Sequence, residues 1–241
     1  MGRTFENRKQ AMAKRSDRDA KNFTRVGRQI AIAVKSGGTE PDANPALRRA
    51  FQNARAVNMP KDRVKAAIDK AAGKDNTDSF EQILYEGYGP HGVAILVETA
   101  TDNPTRTVAN VRSHFKKGGG NMGASGSVAF MFNQFGVFRL DPEGLDRDTL
   151  ELELIDHGLE EMVDGESDDG DPLVILRCGR ADFGQLQAAL ESRKIEAKSS
   201  GFEWIPQNTT SLSDDQEEEL AKLLDRLEDD DDVQEVFHNI G

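Results

Sequence analysis

The sequence predicts an α+β protein: an N-terminal helical bundle plus two ferredoxin-like α/β domains, one inserted in the other. Three observations predict this class. The sign of the charge changes near residue 74, strand and helix patterns alternate beyond it, and a helix and strand are left over after a complete βαββαβ unit. We expect a basic helical domain at 1–74, a discontinuous α/β domain at 80–134 and 207–241, and an inserted domain at 135–206.

The composition limits the function classes. The 241 residues carry a net charge of −12, but residues 1–74 hold 18 basic and 7 acidic residues, giving +11. The other 13 basic and 36 acidic residues give −23. A basic module joined to an acidic body indicates a polyanionic partner for the basic end. The absence of a long apolar run or a signal-peptide core, together with a single cysteine, predicts a cytoplasmic protein with no membrane partner.

Residues 1–22 form a polar, basic arm with almost no core-forming side chains. Such a segment cannot offset its own ordering entropy by burying apolar surface. Two interpretations stay open: a solvated surface, or an arm that contacts nucleic acid. The candidate contact residues of this arm are Arg8, Lys9, Lys14, Arg15, Arg18 and Lys21.

Three helices are expected after the arm. The first runs from Phe23 to Gly37-Gly38, the second starts at Asn44-Pro45 and the third at Pro60, and apolar residues recur in each at helical spacing. Cations on successive helices are typical of a surface that binds backbone phosphates, whereas no zinc-finger or helix-turn-helix spacing indicates base reading. The candidate contact residues here are Arg25, Arg28, Lys35, Arg48, Arg55, Lys61 and Lys65.

The stretch after the polar linker Gly73–Ser79 predicts a strand at Glu81–Tyr88 and a buried central strand at Val93–Thr101. Asn103-Pro104 supplies an N-cap and a proline at the first helical position, so a helix should follow. Glycines 118 to 120 end that helix, and the apolar run Ser127–Phe132 is expected to be extended again.

The inserted unit shows the order βαββαβ of a ferredoxin-like domain. A capping box at Ser213-x-x-Gln216 then starts a last helix, and a short strand follows at Val233–Phe237. Because the inserted unit is already complete, these two elements should complete the sheet begun at Glu81. The inserted unit comprises strands Val137–Leu140, Leu159–Val163, Leu173–Cys178 and Ala197–Ile205 and helices Asp148–Asp156 and Ala181–Arg193.

Two glycine-rich segments invite a nucleotide-binding interpretation. Gly87 to Gly92 satisfies G-x-G-x-x-G, but it precedes a strand instead of a helix, so we interpret it as a hairpin turn with glycines at positive φ. The loop Gly118–Gly126 follows a helix, whose dipole disfavours phosphate there. We interpret that loop as a flexible connection, with backbone contact by Lys116 and Lys117 as the alternative.

Catalysis has little support in the sequence, so we expect no enzyme activity, no cofactor and no metal site. The four histidines lack metal-ligand spacing, and Cys178 lies within an apolar strand, where a buried, inert thiol is typical. The acidic segment 164–171 lacks the glycine that a calcium loop needs at its sixth position. The run Asp229–Asp232 follows a helix and is expected to form a turn.

Several segments together resemble the YebC/PmpR family. The resemblance implies a three-domain protein with an N-terminal helical domain and two α/β domains, one inserted in the other. Family members commonly begin with Gly-His-Ser-Lys-Trp, and this chain departs from that start. The matching segments are Phe23-Thr24, Gly37-Gly38, Pro41 to Pro45, Asn58 to Asp62, Tyr85 to Pro90, Thr101 to Asn103, Arg106-Thr107, Gly119 to Asn121 and Gly126 to Val128.

The resemblance implies one of two functions. Bacterial members are described as transcriptional regulators, which implies a DNA-binding regulatory protein. A mitochondrial branch is linked to translation, which implies an RNA- or ribosome-associated factor. Both would bind phosphates through a basic face, so charge leaves the choice between DNA and RNA open. The sequence also leaves the oligomeric state open.

Overall fold

The first helix is longer than the sequence predicts. The computed structural model describes residues 2–73, 80–167 and 170–241, with side chains described from residue 18 onward. Helix α1 spans Gly2–Gly37, so the expected arm is continuous with the expected helix. Residues 3–26 lack Gly and Pro and are rich in Ala, Lys and Arg, which favour helix. The packed turns from Val26 onward supply the nucleus from which the helix extends.

Two shorter helices complete the bundle, α2 at Pro45–Ala56 and α3 at Lys61–Ala72. The predicted start of α2 at Asn44-Pro45 is confirmed. The side chain of Asn44 accepts a hydrogen bond from the Leu47 amide at 3.1 Å and donates one to the Ala33 carbonyl at 2.7 Å. This buried amide therefore fixes α2 against α1. The bundle core consists of Val26, Ile30, Ala33, Val34, Leu47, Ala50, Ala54 and Ala71.

The first sheet joins distant parts of the chain in the order β3-β1-β2-β8, with every neighbouring pair antiparallel. Helices α4 and α7 contribute side chains to a core on one face of this sheet. The terminal strand thus closes the sheet that Glu81 begins. The elements are β1 Glu81–Tyr88, β2 Ala94–Thr101, α4 Pro104–Lys117, β3 Asn121–Met122, α7 Asp214–Glu228 and β8 Val233–His238.

The second sheet lies between these parts in sequence and has the order β5-β6-β4-β7, again antiparallel. That order and the βαββαβ connectivity make this unit ferredoxin-like. The first sheet has four antiparallel strands as well, but its connectivity is ββαβ…αβ. The elements are β4 Phe132–Leu140, α5 Arg147–Ile155, β5 Leu159–Glu166, β6 Pro172–Gly179, α6 Phe183–Ser192 and β7 Ser199–Pro206.

The segment before β4 differs from the expected extended run. Ala129–Met131 forms a 3-10 turn, and the strand starts at Phe132. The cause is Glu86 on β1, whose buried carboxylate accepts hydrogen bonds from the amides of Gly126 at 2.6 Å and of Val128 and Ala129 at 2.7 Å. Burial alone would raise the pKa of Glu86, but these amides hold it below its usual value.

The hairpin between β1 and β2 contains the G-x-G-x-x-G segment. It forms a 3-10 turn at Pro90–Gly92 and leads into a strand, as expected for a hairpin. Of the three glycines of the motif only Gly92 has a positive φ, of 76°, and the other left-handed residue is His91 at 60°. His91 is held there by Glu219 of α7, 2.9 Å from its ring nitrogen.

Candidate nucleic-acid interface

The predicted contact residues divide into three groups in the structure, with Arg48 apart from them. Arg55 at the end of α2 and Lys61 and Lys65 on α3 are exposed, and within the described residues none of the three makes an ion pair. Lys61 and Lys65 are four residues apart and therefore share one face of α3. Because only residues 57–60 separate α2 from α3, Arg55 lies at the same end of the bundle as Lys61.

Five residues of the arm, together with Lys35, form the second group. Arg8, Lys9, Lys14 and Arg15 lie on the backbone of α1, but their side chains are outside the described residues. Arg18 is half-buried and Lys35 is exposed, and both take part in contacts.

The third group is turned toward the body of the protein. Lys21 pairs with Asp229, and Arg25 donates a hydrogen bond to the carbonyl of Glu228 at 3.3 Å. Arg28 donates to the carbonyls of Ala100, at 2.8 Å, and Asp231. Apart from the hydrogen bond to Ala100 of β2, these contacts lie on the end of α7 and the acidic turn that follows it. The sequence predicts this turn without assigning it a partner.

Asp232 lies at the centre of this contact. Its side chain is only 4% exposed. It accepts hydrogen bonds from Arg28 at 3.0 Å, from Arg106 of α4 at 2.8 Å and from the Thr107 hydroxyl at 2.7 Å. Burial alone would raise the pKa of Asp232, but the hydrogen bonds of Arg106 and Thr107 and the charge of Arg28 hold it below its usual value. Arg28 is thus a residue that fixes α1 to the first sheet.

Helix α2 contacts the second sheet. The side chain of Asn53 exchanges two hydrogen bonds of 3.1 Å with the backbone of Ser200 on β7. The guanidinium of Arg49 lies 5.3 Å from the ring centre of Phe183 and 5.4 Å from that of Phe202. Burial lowers the pKa of Arg49. The bundle is therefore fixed to both sheets, through α1 and through α2.

Arg48, another predicted contact residue, is used mainly within the bundle. It donates to the carbonyls of Pro41 at 2.9 Å and Asp42 at 3.0 Å, and its guanidinium lies 3.9 Å from Glu191 of α6. These hydrogen bonds brace the short turn before α2. Arg48 is thus less accessible to an external phosphate than Arg55.

The groups that could support catalysis are dispersed. No set of three or more His, Cys, Asp or Glu in the described part of the chain is placed to hold a metal ion. Burial, followed by the charges of Asp182 and Glu160, raises the pKa of the Cys178 thiol to about 12, so this thiol stays protonated and is a poor nucleophile at neutral pH. The acidic loop between β5 and β6 includes residues 168–169, which lie outside the described residues.

Comparison with known proteins places this geometry in a family. The model of the "TACO1/YebC protein N-terminal domain" matches residues 3–74, and that of the "TACO1/YebC second and third domain" matches residues 80–240. The chain belongs to the TACO1/YebC family. The resemblance seen in the sequence is therefore confirmed, and the two TACO1/YebC models cover the bundle and both sheets.

Relatives of this TACO1/YebC chain match over its full length. Proteins from Anaeromyxobacter dehalogenans and Myxococcus xanthus are each 58% identical over 241 residues, covering 100% of both chains, and one from Flavobacterium johnsoniae is 51% identical, covering 99% of the relative. All three are named "Probable transcriptional regulatory protein". The crystal structure of a conserved hypothetical protein from Aquifex aeolicus, 34% identical, matches with a TM-score of 0.80 over 92% of this chain and 90% of that one.

Sequence reasoning missed the residues that position the TACO1/YebC bundle on its body. The pattern of exposed cations does not point to these residues, although each makes a contact between elements distant in sequence. They are Asp232, Arg106, Arg49 and Asn53. The one available signal was the run Asp229–Asp232, an acidic cluster at the unfavourable end of a helix dipole.

No helix in the described part of the chain is long and apolar enough to cross a membrane.

Proposed function

We propose that this protein is a non-enzymatic regulator that binds DNA through backbone phosphates, using exposed cations of its helical bundle, and acts in transcription. The observation that carries the proposal is the division of the cations. Lys21, Arg25 and Arg28 are held by the body, whereas Arg55, Lys61 and Lys65 remain exposed without an ion pair in the described residues.

The charge distribution supports binding of DNA through the bundle. Residues 1–74 carry +11 and the remainder −23, so a polyanion is attracted by the bundle and repelled by the two sheets. Partial neutralisation of α1 by the acidic turn leaves the junction of α2 and α3 as a compact cationic site, and the backbone of α1 carries further cations toward its start. Each phosphate that these cations neutralise releases counterions and adds to the affinity.

The choice of DNA rests on the names of the relatives, which assign them to transcription. Phosphate contacts carry no base information, so we expect this surface to bind unrelated sequences with similar affinity. RNA association is the alternative, and binding to RNA of the same sequence distinguishes the two targets.

The test measures binding to a 20-base-pair DNA duplex over a salt series, for the parent protein and two variants. The junction variant carries Arg55→Ala, Lys61→Ala and Lys65→Ala, and the arm variant replaces Arg8, Lys9, Lys14 and Arg15 with Ala. Each lost phosphate contact should flatten the slope of log K against log salt by about 0.9. Both variants should therefore bind DNA more weakly than the parent. For each variant, the loss of affinity should be similar on duplexes of unrelated sequence.

The matched control removes cations from the acidic body, with Lys198→Ala and Lys222→Ala, and should leave the slope nearly unchanged. Lys198 pairs with Asp141 at 2.9 Å, and Lys222 is exposed on α7. If junction and arm variants bind DNA as tightly as the parent, the proposed surface is refuted. If RNA of the same sequence binds much more tightly than DNA and the same variants lose it, the surface stands and DNA is the wrong target.

A further inference from the structure

Helix α5 presents two large apolar side chains to solvent. Leu152 is 72% exposed and Ile155 is 55% exposed. Leu150 and Leu154 on the same helix are buried in the core of the inserted unit, so Leu152 and Ile155 face outward, one helical turn apart. Only two other large apolar residues in the described part of the chain are exposed, Tyr88 and Phe130, and both belong to other elements.

Exposed carboxylates surround this apolar pair. Asp148, Glu151 and Asp156 are exposed and make no ion pair within the described residues. The two nearby cations are already used, since Arg147 pairs with Asp164 at 2.6 Å and Arg193 pairs with Glu153 at 2.8 Å. Residues 141–171 contain 14 acidic residues and one basic residue. The face therefore combines exposed apolar surface with uncompensated negative charge.

We propose that the α5 face, formed by Asp148, Glu151, Leu152, Ile155 and Asp156, docks a cationic amphipathic helix of a partner protein. Two apolar side chains one turn apart match the apolar stripe of such a helix, and the flanking carboxylates match Lys and Arg beside that stripe. Burying Leu152 and Ile155 would supply affinity, while the carboxylates would select a basic partner and speed association.

Charge complementarity disfavours two other occupants of the α5 face, whereas the basic bundle of a second copy is tested by sedimentation below. A nucleic acid would be repelled by the carboxylates, and the acidic body of a second copy would be repelled in the same way. The inference goes beyond the proposed function because it assigns a protein partner to the inserted unit, whereas the proposed phosphate contacts lie on the bundle.

The test uses synthetic, fluorophore-labelled 18-residue peptides and fluorescence anisotropy with the full-length protein. The probe is an amphipathic helix of Leu and Lys. One comparison peptide replaces each Leu with Ser at the same charge, and another replaces each Lys with Glu. Of the three peptides, the parent protein should bind only the Leu/Lys peptide. Its affinity for this peptide should fall as salt is added.

Two variants of the face separate its apolar and charged parts. Leu152→Ser with Ile155→Ser should weaken binding of the Leu/Lys peptide about tenfold or more, because it removes the apolar contact. Asp148→Asn with Glu151→Gln and Asp156→Asn should weaken it similarly and flatten its salt dependence. All five positions are exposed, so both variants should melt at the temperature of the parent.

A matched control removes the same charge from another acidic helix, with Glu217→Gln, Glu218→Gln and Asp225→Asn on α7. It should bind the peptide like the parent. The proposal is overturned if this control weakens binding as much as the α5 charge variant, or if the Leu152→Ser, Ile155→Ser variant binds like the parent. It is also overturned if sedimentation shows that the parent self-associates and that variant does not, because the occupant is then a second copy.

Discussion

The guanidinium of Arg28 lies 3.0 Å from the carboxylate of Asp232, and this pair joins the first helix to the last turn of the chain. Only 13% of the Arg28 side chain and 4% of the Asp232 side chain are exposed. A buried pair is stable only when its remaining hydrogen-bonding groups are satisfied. Here Arg106, Thr107 and the carbonyl of Ala100 provide those partners. The pair therefore orients the bundle, and with it the exposed cations of α2 and α3.

The first prediction concerns Asp232→Asn. Removing this charge leaves Arg28 largely buried without its counterion, so we expect the free energy of unfolding at pH 7 to fall by about 3 kcal/mol. Chemical denaturation measures this loss. The control Asp225→Asn changes an exposed carboxylate on α7 without an ion pair in the described residues, and it should have little effect.

The effect of Asp232→Asn on the free energy of unfolding should depend on pH. The pKa of Asp232 is lower in the folded than in the unfolded protein. Its stabilisation is therefore fully present above the unfolded pKa of about 4 and is lost as the pH falls through the folded pKa. The difference in unfolding free energy between parent and Asp232→Asn should be constant from pH 7 to 5 and shrink below about pH 4. A difference that stays constant down to pH 2.5 would contradict the assignment.

The second prediction concerns the close approach of β1 to β3. A Cβ at Gly87 would lie 2.7 Å from the carbonyl oxygen of Asn121 and 2.7 Å from the ring of Phe115. Gly87→Ala should therefore destabilise the protein by about 1–3 kcal/mol. The matched control is Gly27→Ala in α1, where a Cβ meets nothing within 4 Å, and this change should stabilise by about 0.5–1 kcal/mol. Equal effects of the two changes would show that backbone freedom, and not contact, decides both.

The third prediction concerns the expected discontinuous domain. Leu220, Leu223 and Leu227 of α7 share a core with Phe115 of α4, and β8 pairs with β2. Deleting residues 213–241 should therefore unfold the first sheet. The inserted unit, 135–206, has a core of its own and should fold alone. Circular dichroism during thermal unfolding checks both. If the truncated protein still unfolds cooperatively with the loss of strand signal expected for both sheets, the division of domains at 80–134, 207–241 and 135–206 is refuted.

Local signals explain why much of the fold could be predicted. Asn44 and Asn103 each precede a proline, and both cap helices that begin at the expected residue. Alternating strands and helices likewise predicted the order of elements in the inserted unit. Such signals act within a few residues, so one sequence is enough to find them.

Non-local contacts explain what the sequence could not predict. Arg28 and Asp232 are 204 residues apart, and nothing within the run of four Asp distinguishes the buried carboxylate from its neighbours. The outward-facing pattern of α1 therefore predicted Arg28 as a surface cation, whereas the fold uses it to hold the helix. The prediction of an extended Ser127–Phe132 is wrong for the same reason. The amides of this segment donate to Glu86, which lies on β1 and is about 40 residues earlier in the chain.

The last prediction joins the acidic turn to the proposed function. Lys21 pairs with Asp229, and 41% of the Lys21 and 68% of the Asp229 side chain are exposed. An exposed pair contributes little to stability, so Asp229→Asn should leave the melting temperature unchanged. It should release Lys21 for phosphate and steepen the salt slope on duplex DNA by up to about 0.9. The control Asp225→Asn removes the same charge from α7 without releasing a cation in the described residues. If it steepens the slope equally, the effect comes from the overall field and Lys21 makes no phosphate contact.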